Sequence, residues 1–212
     1  IQAASPMDEA WESMAVVVCM LEGFIDFKSA RSLVAVRGTD GSLKFYPLAE
    51  NSHHEGILRL TVAPAQEISE SLQKKAESYM ISLLTEINHV GVLTLELFDS
   101  DDELIVNEIA PRVHNSGHWT IEGAQTSQFE NHIRAITNTP LGDTSIKSQF
   151  NAMINIIGKY GPTNKVLETR NAHLHLYDKK ERKNRKLGHI TITSDSYEEL
   201  QNSIDSLSDY LP

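Results

Sequence analysis

VLTLELFDSDDELIVNEIAPRVHNSGHW, residues 92–119, is the stretch on which the fold is decided. Val92–Phe98 alternates apolar and polar side chains as a half-buried strand does. Asp99-Ser100-Asp101-Asp102 is a cluster of turn-forming residues, and Leu104–Ile109 reads as the returning strand. A turn centred on those four residues joins positions of equal parity. In that register Glu96 faces Val106 and Thr94 faces Glu108, so the two acids share a face as diagonal neighbours, about 7–8 Å apart at the backbone. Leu93, Leu95, Leu97, Ile105 and Ile109 then fill the other face, with Asn107 the one polar residue among them. A slip of one residue separates the acids and breaks the apolar face.

Two carboxylates converging in an otherwise apolar hairpin repel each other and need a partner. A hard divalent cation suits them, since Mg²⁺ takes one or two carboxylates together with substrate phosphates. The alternative is that both acids face solvent and bind nothing, as most acids do. The neighbouring residues weigh against that alternative. Asn107-Glu108-Ile109-Ala110-Pro111-Arg112 runs directly into Val113-His114-Asn115-Ser116-Gly117-His118-Trp119, a short loop offering a guanidinium, two imidazoles, an amide, a hydroxyl and a permissive glycine.

The run NEIAPRVHNSGHWT (107–120) resembles the signature of the N5-carboxyaminoimidazole ribonucleotide synthetases, ATP-grasp ligases of purine biosynthesis. The resemblance extends from about Leu21 to about Thr193. An Asn-Glu pair after an acid-bearing strand is typical of ATP-grasp enzymes generally, and the continuation PRVHNSGHW narrows the match to this ligase. The fold it implies is α+β: the C-terminal portion of an ATP-grasp domain, an antiparallel sheet with packing helices, followed by a small α/β domain. The N-terminal nucleotide-fold domain and glycine-rich phosphate loop of the family are expected to be missing, because none of the eleven glycines forms such a loop. Ile1 is not an initiator methionine and the first residues resemble no signal peptide, so the chain is expected to be roughly the C-terminal three-fifths of the enzyme.

Composition agrees with that class. With 212 residues, 40% hydrophobic and 23% charged, the chain can build ample core. No apolar run approaches the roughly 18 residues of a membrane span, and a net charge of −10 argues against a nucleic-acid partner unless a local basic patch overrides it. The single cysteine, Cys19, sits in an apolar run and reads as core, consistent with a reducing, cytoplasmic setting.

Outward from the hairpin, Ser5-Pro6-Met7-Asp8-Glu9 can open a short helix and Val16–Leu21 reads as a buried strand. The strand delivers Glu22-Gly23-Phe24-Ile25, which the resemblance assigns to the adenosine end of ATP, with Glu22 taking the adenine amino group. The alternative is that Glu22 merely ends the strand. Ser32–Arg37 and Leu43–Pro47 read as strands joined by Gly38-Thr39-Asp40-Gly41. The family carries a ribose-binding acid where this chain has Ala30, which puts that contact in doubt. Glu50–Gly56 reads as an irregular polar loop, in which the resemblance brings His53 to the nucleotide phosphates. Adjacent His53 and His54 also suggest zinc, but they lack a third ligand at helical spacing. Gln66–Asn88 is a packing helix with Ile68, Leu72, Ala76, Tyr79, Leu83 and Ile87 on one face. Ser127-Gln128-Phe129-Glu130 is a capping box opening a helix to about Thr137.

The character changes near residue 142, dividing the chain into 1–142 and a small C-terminal domain, 143–212. Ala152–Ile157, His173–Tyr177 and Leu187–Thr193 read as strands and Ser196–Leu207 as a helix. The hairpin Asp178–Lys186 holds six cations in the eight positions 179–186. Such a cluster can be merely solvated, can bind nucleic acid, or can clamp a phosphate monoester. The resemblance favours the clamp, with Lys179 and Arg185 on the ribotide 5′-phosphate. It also implies that Glu96 and Glu108 hold Mg²⁺ on ATP with support from Asn107. By the same resemblance Arg112 is expected to stabilise the bicarbonate-derived oxyanion, and His114, Asn115 and Ser116 to orient the aminoimidazole ribotide. His118 stays open between a role behind the site and packing under Trp119. The implied reaction is ATP-dependent carboxylation of 5-aminoimidazole ribonucleotide by bicarbonate through carboxyphosphate, in a homodimer. Two rivals remain: a non-catalytic nucleotide-binding or dimerising remnant, and a nucleic-acid binder using Lys179–Lys186.

Overall fold

The computed structural model describes residues 22–66, 68–100 and 103–212. The helix expected from Ser5, the strand Val16–Leu21 and Cys19 lie outside the described residues. The described chain is built on one nine-stranded sheet. Its strands are β1 (Ser29–Arg37), β2 (Leu43–Phe45), β3 (Ala49–His54), β4 (Ile57–Ala63), β5 (Gly91–Ser100), β6 (Glu103–Ala110), β7 (Phe150–Ile157), β8 (Ala172–Leu176) and β9 (Lys186–Ser194). The spatial order is β6-β5-β1-β3-β4-β7-β9-β8, with β2 also paired to β1, and the pairings are antiparallel. The helices are α1 (Glu70–Glu86), α2 (Thr120–Gly123), α3 (Gln128–Ile136), α4 (Thr163–Glu168) and α5 (Tyr197–Ser206).

Period-two alternation decides which helix covers which face. Leu33 and Ala35 of β1, with Leu93, Leu95 and Leu97 of β5, pack on Leu72, Ala76, Met80 and Leu84 of α1. Ser69 caps that helix by accepting from the Leu72 N–H, so it begins at Glu70 and not at Gln66. The opposite face carries Val34, Val36, Val92 and Met153, and is covered by Trp119, Ala124 and Ala135 from the connection between β6 and β7. A third apolar cluster joins Ala152, Ile154, Ile156, Ile190 and Ile192 to Leu200 and Ile204 of α5. Because β4 pairs with β7, the residues beyond 142 continue the same sheet.

Two expectations need correcting. Residues 50–56 do not form an irregular loop: 49–54 are β3, turning through Glu55 and Gly56, both at positive φ, into β4. Polar side chains concealed this strand, because Ser52, His53 and His54 at its end are exposed.

The second correction is the register of the organising hairpin. Its turn is tighter than a four-residue cluster: β5 runs to Ser100, which pairs with Glu103, and Leu97 pairs with Val106. Continued unchanged, that register would set Glu96 against Asn107. A β-bulge intervenes at Asn107, and Glu96 lies directly opposite Glu108. The acids therefore share a face as direct neighbours, with side chains closer than the diagonal arrangement allows, about 4.5–5.5 Å between Cβ atoms. The tighter turn, on the near side of the bulge, also exchanges the apolar roles of residues 104 and 105, while Ile109 beyond the bulge stays opposite Leu95. Leu104 is buried against α1, Ile105 stands opposite Phe98 on the acid face, and Ile109 is half exposed.

Candidate active site

Glu96 and Glu108 form the floor of a cleft of about 280 Å³, whose walls include Phe27, Ala30, Asn51, His53, Gly56, Phe98 and Asn107. Phe27 stacks on Phe98 with ring centroids 4.1 Å apart, giving the cleft an aromatic end close along the strand from the acids. Ala30 lines this space and offers no carboxylate. The neighbouring Arg31 is buried on the other side of the strand, where it pairs with Glu50 and lies 3.4 Å from Asp99.

The electrostatics of the acids are unresolved in the protein alone. Burial first, and the Glu108 carboxylate second, raise the Glu96 pKa above its ordinary value. Lys186 and Arg112 pull in the other direction without cancelling that rise. Ser32, opposite Glu96 on β1, has a buried hydroxyl with no hydrogen-bond partner. Two crowded carboxylates on one face, one of them desolvated, fit a divalent cation. Among the described residues no group of three or more His, Cys, Asp or Glu side chains is arranged to hold a metal. The protein thus supplies two acids, and phosphate oxygens and water would complete the shell.

The loop after β6 meets the acid pair through His114. Asn115–Gly117 makes a 3-10 turn, with His114 at its N-terminal cap. The Ser116 backbone N–H reaches His114 Nδ1 at 3.3 Å, and the Ser116 hydroxyl lies 2.9 Å from the same nitrogen. Nδ1 is therefore an acceptor, and the ring proton sits on Nε2, 3.3 Å from Glu96 Oε1. Burial and the Arg112 cation lower the His114 pKa to about 4, so the ring is neutral at pH 7. Rather than projecting free into the cleft, His114 is turned back upon an acid of the pair. Asn115 and Asn155 exchange amide hydrogen bonds at 2.6 and 3.0 Å, and Lys186 Nζ donates to Asn115 Oδ1 at 2.9 Å. Burial lowers the Lys186 pKa, while Glu96 opposes that shift.

Lys186 is a functional candidate that the sequence pattern does not single out. Its place at the end of the basic hairpin groups it with that cluster, although it is the member that β9 turns inward. Arg112 is exposed, with Nη1 donating to the Val113 carbonyl at 3.0 Å. Lys179 is exposed with its ammonium 5.2 Å from the Tyr177 ring, and Arg185 is half-buried near the Lys180 carbonyl. Glu22, Gly23 and Phe24 are exposed and Ile25 half-buried, in irregular chain that does not line the cleft. The structure thus brings Glu96, Glu108, Asn107 and His53 around one space, sets His114 against Glu96 with Lys186 bonded to Asn115 of the same loop, and leaves the 22–25 segment outside the cleft.

His118 lies on the far side of the loop. Its Nδ1–H donates to the His114 carbonyl at 2.9 Å, and its ring meets the His189 ring edge-on at 5.0 Å. It belongs to the packing behind the loop.

The profile of the ATP-grasp domain family matches residues 1–129. That of the phosphoribosylaminoimidazole carboxylase C-terminal domain matches residues 151–203. The N5-carboxyaminoimidazole ribonucleotide synthase of Pseudomonas aeruginosa is 49% identical over 183 residues, which are 86% of this chain and 50% of that protein. The chain spans about half the length of the curated relatives it matches. Among solved structures, the N5-carboxyaminoimidazole ribonucleotide synthetase from Thermus thermophilus superposes with a TM-score of 0.91 at 50% identity, over 97% of this chain and 57% of that one. The Aspergillus clavatus synthase, solved with ADP and 5-aminoimidazole ribonucleotide, superposes at 0.80 with 35% identity, over 86% of this chain and 51% of that one.

Proposed function

This chain belongs to the ATP-grasp family, and on that premise we propose that it carries the catalytic floor of an N5-carboxyaminoimidazole ribonucleotide synthetase. The observation that carries the reading is the Glu96–Glu108 pair, set face to face by a bulge beneath a cleft with an aromatic end. We assign residues 1–142 to the ATP-grasp portion and 143–212 to the small C-terminal domain with the basic hairpin.

In the proposed reaction an oxygen of bicarbonate attacks the γ-phosphorus of ATP, the bond to the bridging oxygen breaks, and ADP leaves with the electron pair. The carboxyphosphate so formed gives its carboxyl carbon to the exocyclic amine of 5-aminoimidazole ribonucleotide, and phosphate leaves as the amine loses a proton. Glu96 and Glu108, with Asn107 beside them, would hold Mg²⁺. Bound there, the metal supplies neutralisation of the phosphate oxygens during transfer. Arg112, an exposed cation whose field reaches Glu96, would stabilise the bicarbonate-derived oxyanion. His53, on β3, reaches the phosphate end of the cleft. Glu22–Ile25 would meet the adenosine end from outside the cleft walls.

His114 keeps Glu96 in place while neutral, Ser116 is fully buried and orients the His114 ring, and half-buried Asn115 would be the loop's contact with the ribotide. Lys179 and Arg185 provide cations for its 5′-phosphate, arginine in bidentate fashion. The assembly would be a cytoplasmic homodimer. The proposal is tested by ATP-dependent phosphate release in the complete enzyme with the ribotide and bicarbonate. Release requiring both co-substrates is expected. Nucleotide binding without release would identify a binding remnant, and salt-sensitive affinity for DNA or RNA without turnover would favour the basic hairpin as a nucleic-acid site.

A further inference from the structure

The group that holds the His114 loop in position comes from outside the signature run. Gln128, the first residue of α3, is fully buried. Its side-chain amide does what a neighbouring strand would do. Oε1 accepts from the His114 backbone N–H at 3.0 Å, and Nε2 donates to the His114 carbonyl at 2.6 Å. The Gln128 backbone N–H donates to Thr120 Oγ1 at 3.0 Å, and that hydroxyl donates to the Gly117 carbonyl at 2.6 Å. The loop is thus pinned at both ends of its turn from a single helix terminus.

The clamp explains the glycine inside the turn. A Cβ at position 117 would stand 2.6 Å from Gln128 Oε1, so the amide and any side chain at that position exclude each other. With its backbone fixed on both sides, His114 has one useful direction left for its ring. Nδ1 is occupied by Ser116, and Nε2–H meets Glu96.

We propose that Gln128 is a positioning residue for the acid pair: its amide clamps the His114 backbone so that the imidazole holds one Glu96 oxygen and leaves the other for the cation. A buried glutamine that only satisfied its own polar atoms could bond anywhere along the loop. This one takes the donor and the acceptor of the same residue, and that residue carries the imidazole bonded to Glu96. The catalytic consequence rests on the ligase reading, whereas the clamp does not.

The test uses the complete enzyme with Gln128→Met, of similar volume and without polar groups, and Gln128→Glu, which keeps the acceptor for the His114 N–H. Backbone amide exchange is followed by mass spectrometry in peptides covering 113–118 and 128–136, alongside turnover, the KM for ATP and the midpoint of a Mg²⁺ titration. Gln128→Met is expected to speed exchange in 113–118 at least tenfold while 128–136 stays protected. Turnover should fall at least tenfold, the Mg²⁺ midpoint should rise severalfold, and the KM for ATP should stay within twofold. Gln128→Glu should fall between the variant and the parent on each measure, and it carries the test alone if the methionine variant does not fold. Unchanged exchange in 113–118, or a fall in thermal stability with turnover and the Mg²⁺ midpoint both preserved, overturns the proposal. A parent enzyme without ribotide-dependent turnover would defeat the ligase reading, and the exchange experiment would still judge the clamp.

Discussion

The His114–Trp119 loop separates two clusters of ionisable side chains whose pKa values burial moves in opposite directions. On one side are Glu96 and Glu108. Burial and mutual repulsion raise the Glu96 pKa, and the pair needs an external positive charge to be stable when ionised. On the other side His118, His175 and His189 lie ring to ring, the last two stacked 4.3 Å apart with planes 5° from parallel. Burial lowers the His118 pKa to about 4 and that of His189 to about 2, so both are neutral at pH 7 and stack as aromatic rings without needing a counter-charge. Tyr177 bonds to His189 Nδ1 at 2.7 Å, and Glu122 to His175 at 2.9 Å. A crowded acid pair in which burial and repulsion disfavour the charged form of one member points to a cationic ligand, and imidazoles that burial leaves neutral and stacked point to packing.

The sharpest way to break the comparison is to remove one charge from the acid side. Glu108→Gln keeps the size and the strand and should lower turnover of the complete enzyme by about 10³-fold or more, on the scale of losing electrostatic stabilisation in the reaction. Because Glu108 is exposed, thermal stability should hold within a few degrees. Near-normal turnover in that variant would mean that the acids are not a metal site and that the contrast between the clusters is an accident of sheet geometry.

The imidazole side is probed by acid. The unfolded chain protonates its histidines near pH 6.5, whereas folded His118 and His189 resist until much lower pH. Protons then favour the unfolded state, so stability present at neutral pH is lost as pH falls from about 6.5 towards 4, each of these histidines contributing a slope of about 1.4 kcal/mol per pH unit. Urea unfolding at pH 7, 6 and 5 should show that slope, and His189→Phe should reduce it by one histidine's share, about 1.4 kcal/mol per pH unit, leaving the contributions of His118 and His114. A parental slope that survives the substitution would remove His189 from the account.

How far the sequence alone reaches depends on the same contrast. The acid side is legible because alternation along 92–98 and 104–109 places Glu96 and Glu108 on one face by local geometry alone. The bulge at Asn107 is not: a tight turn plus one extra residue and a longer turn without it give the acids the same face, and only the pairing of Leu104 and Ile105 tells them apart. Strand β3 is hidden because its outward side chains are polar. Lys186, Gln128 and the histidine stack are contacts between segments some 12 to 71 residues apart, and no local pattern encodes those meetings.

A smaller effect is expected at the basic hairpin, which belongs to neither cluster. Arg185→Ala should raise the KM for the ribotide about tenfold, the scale of one charge-assisted hydrogen bond to phosphate, and leave the KM for ATP unchanged. If only the ATP KM moves, the hairpin serves the nucleotide and the division of labour between the cleft and the C-terminal region has to be redrawn.

The smallest effect should come where a charge pair is neither crowded nor buried. Lys165 and Asp209 meet at 2.8 Å between α4 and the C-terminal 3-10 turn, with side chains 42% and 52% exposed. Solvent screens such a pair and each side chain loses rotamer freedom in making it, so Lys165→Ala should cost less than about 1 kcal/mol. The remaining difference should shrink further in high salt. This bears on the comparison because both clusters beside the loop were separated by what burial does to charge. A surface pair worth several times that figure would show that proximity alone, without desolvation, is enough to make ionic contacts matter in this fold, and the argument for a cation at Glu96 and Glu108 would lose the step that distinguishes it from any other close pair.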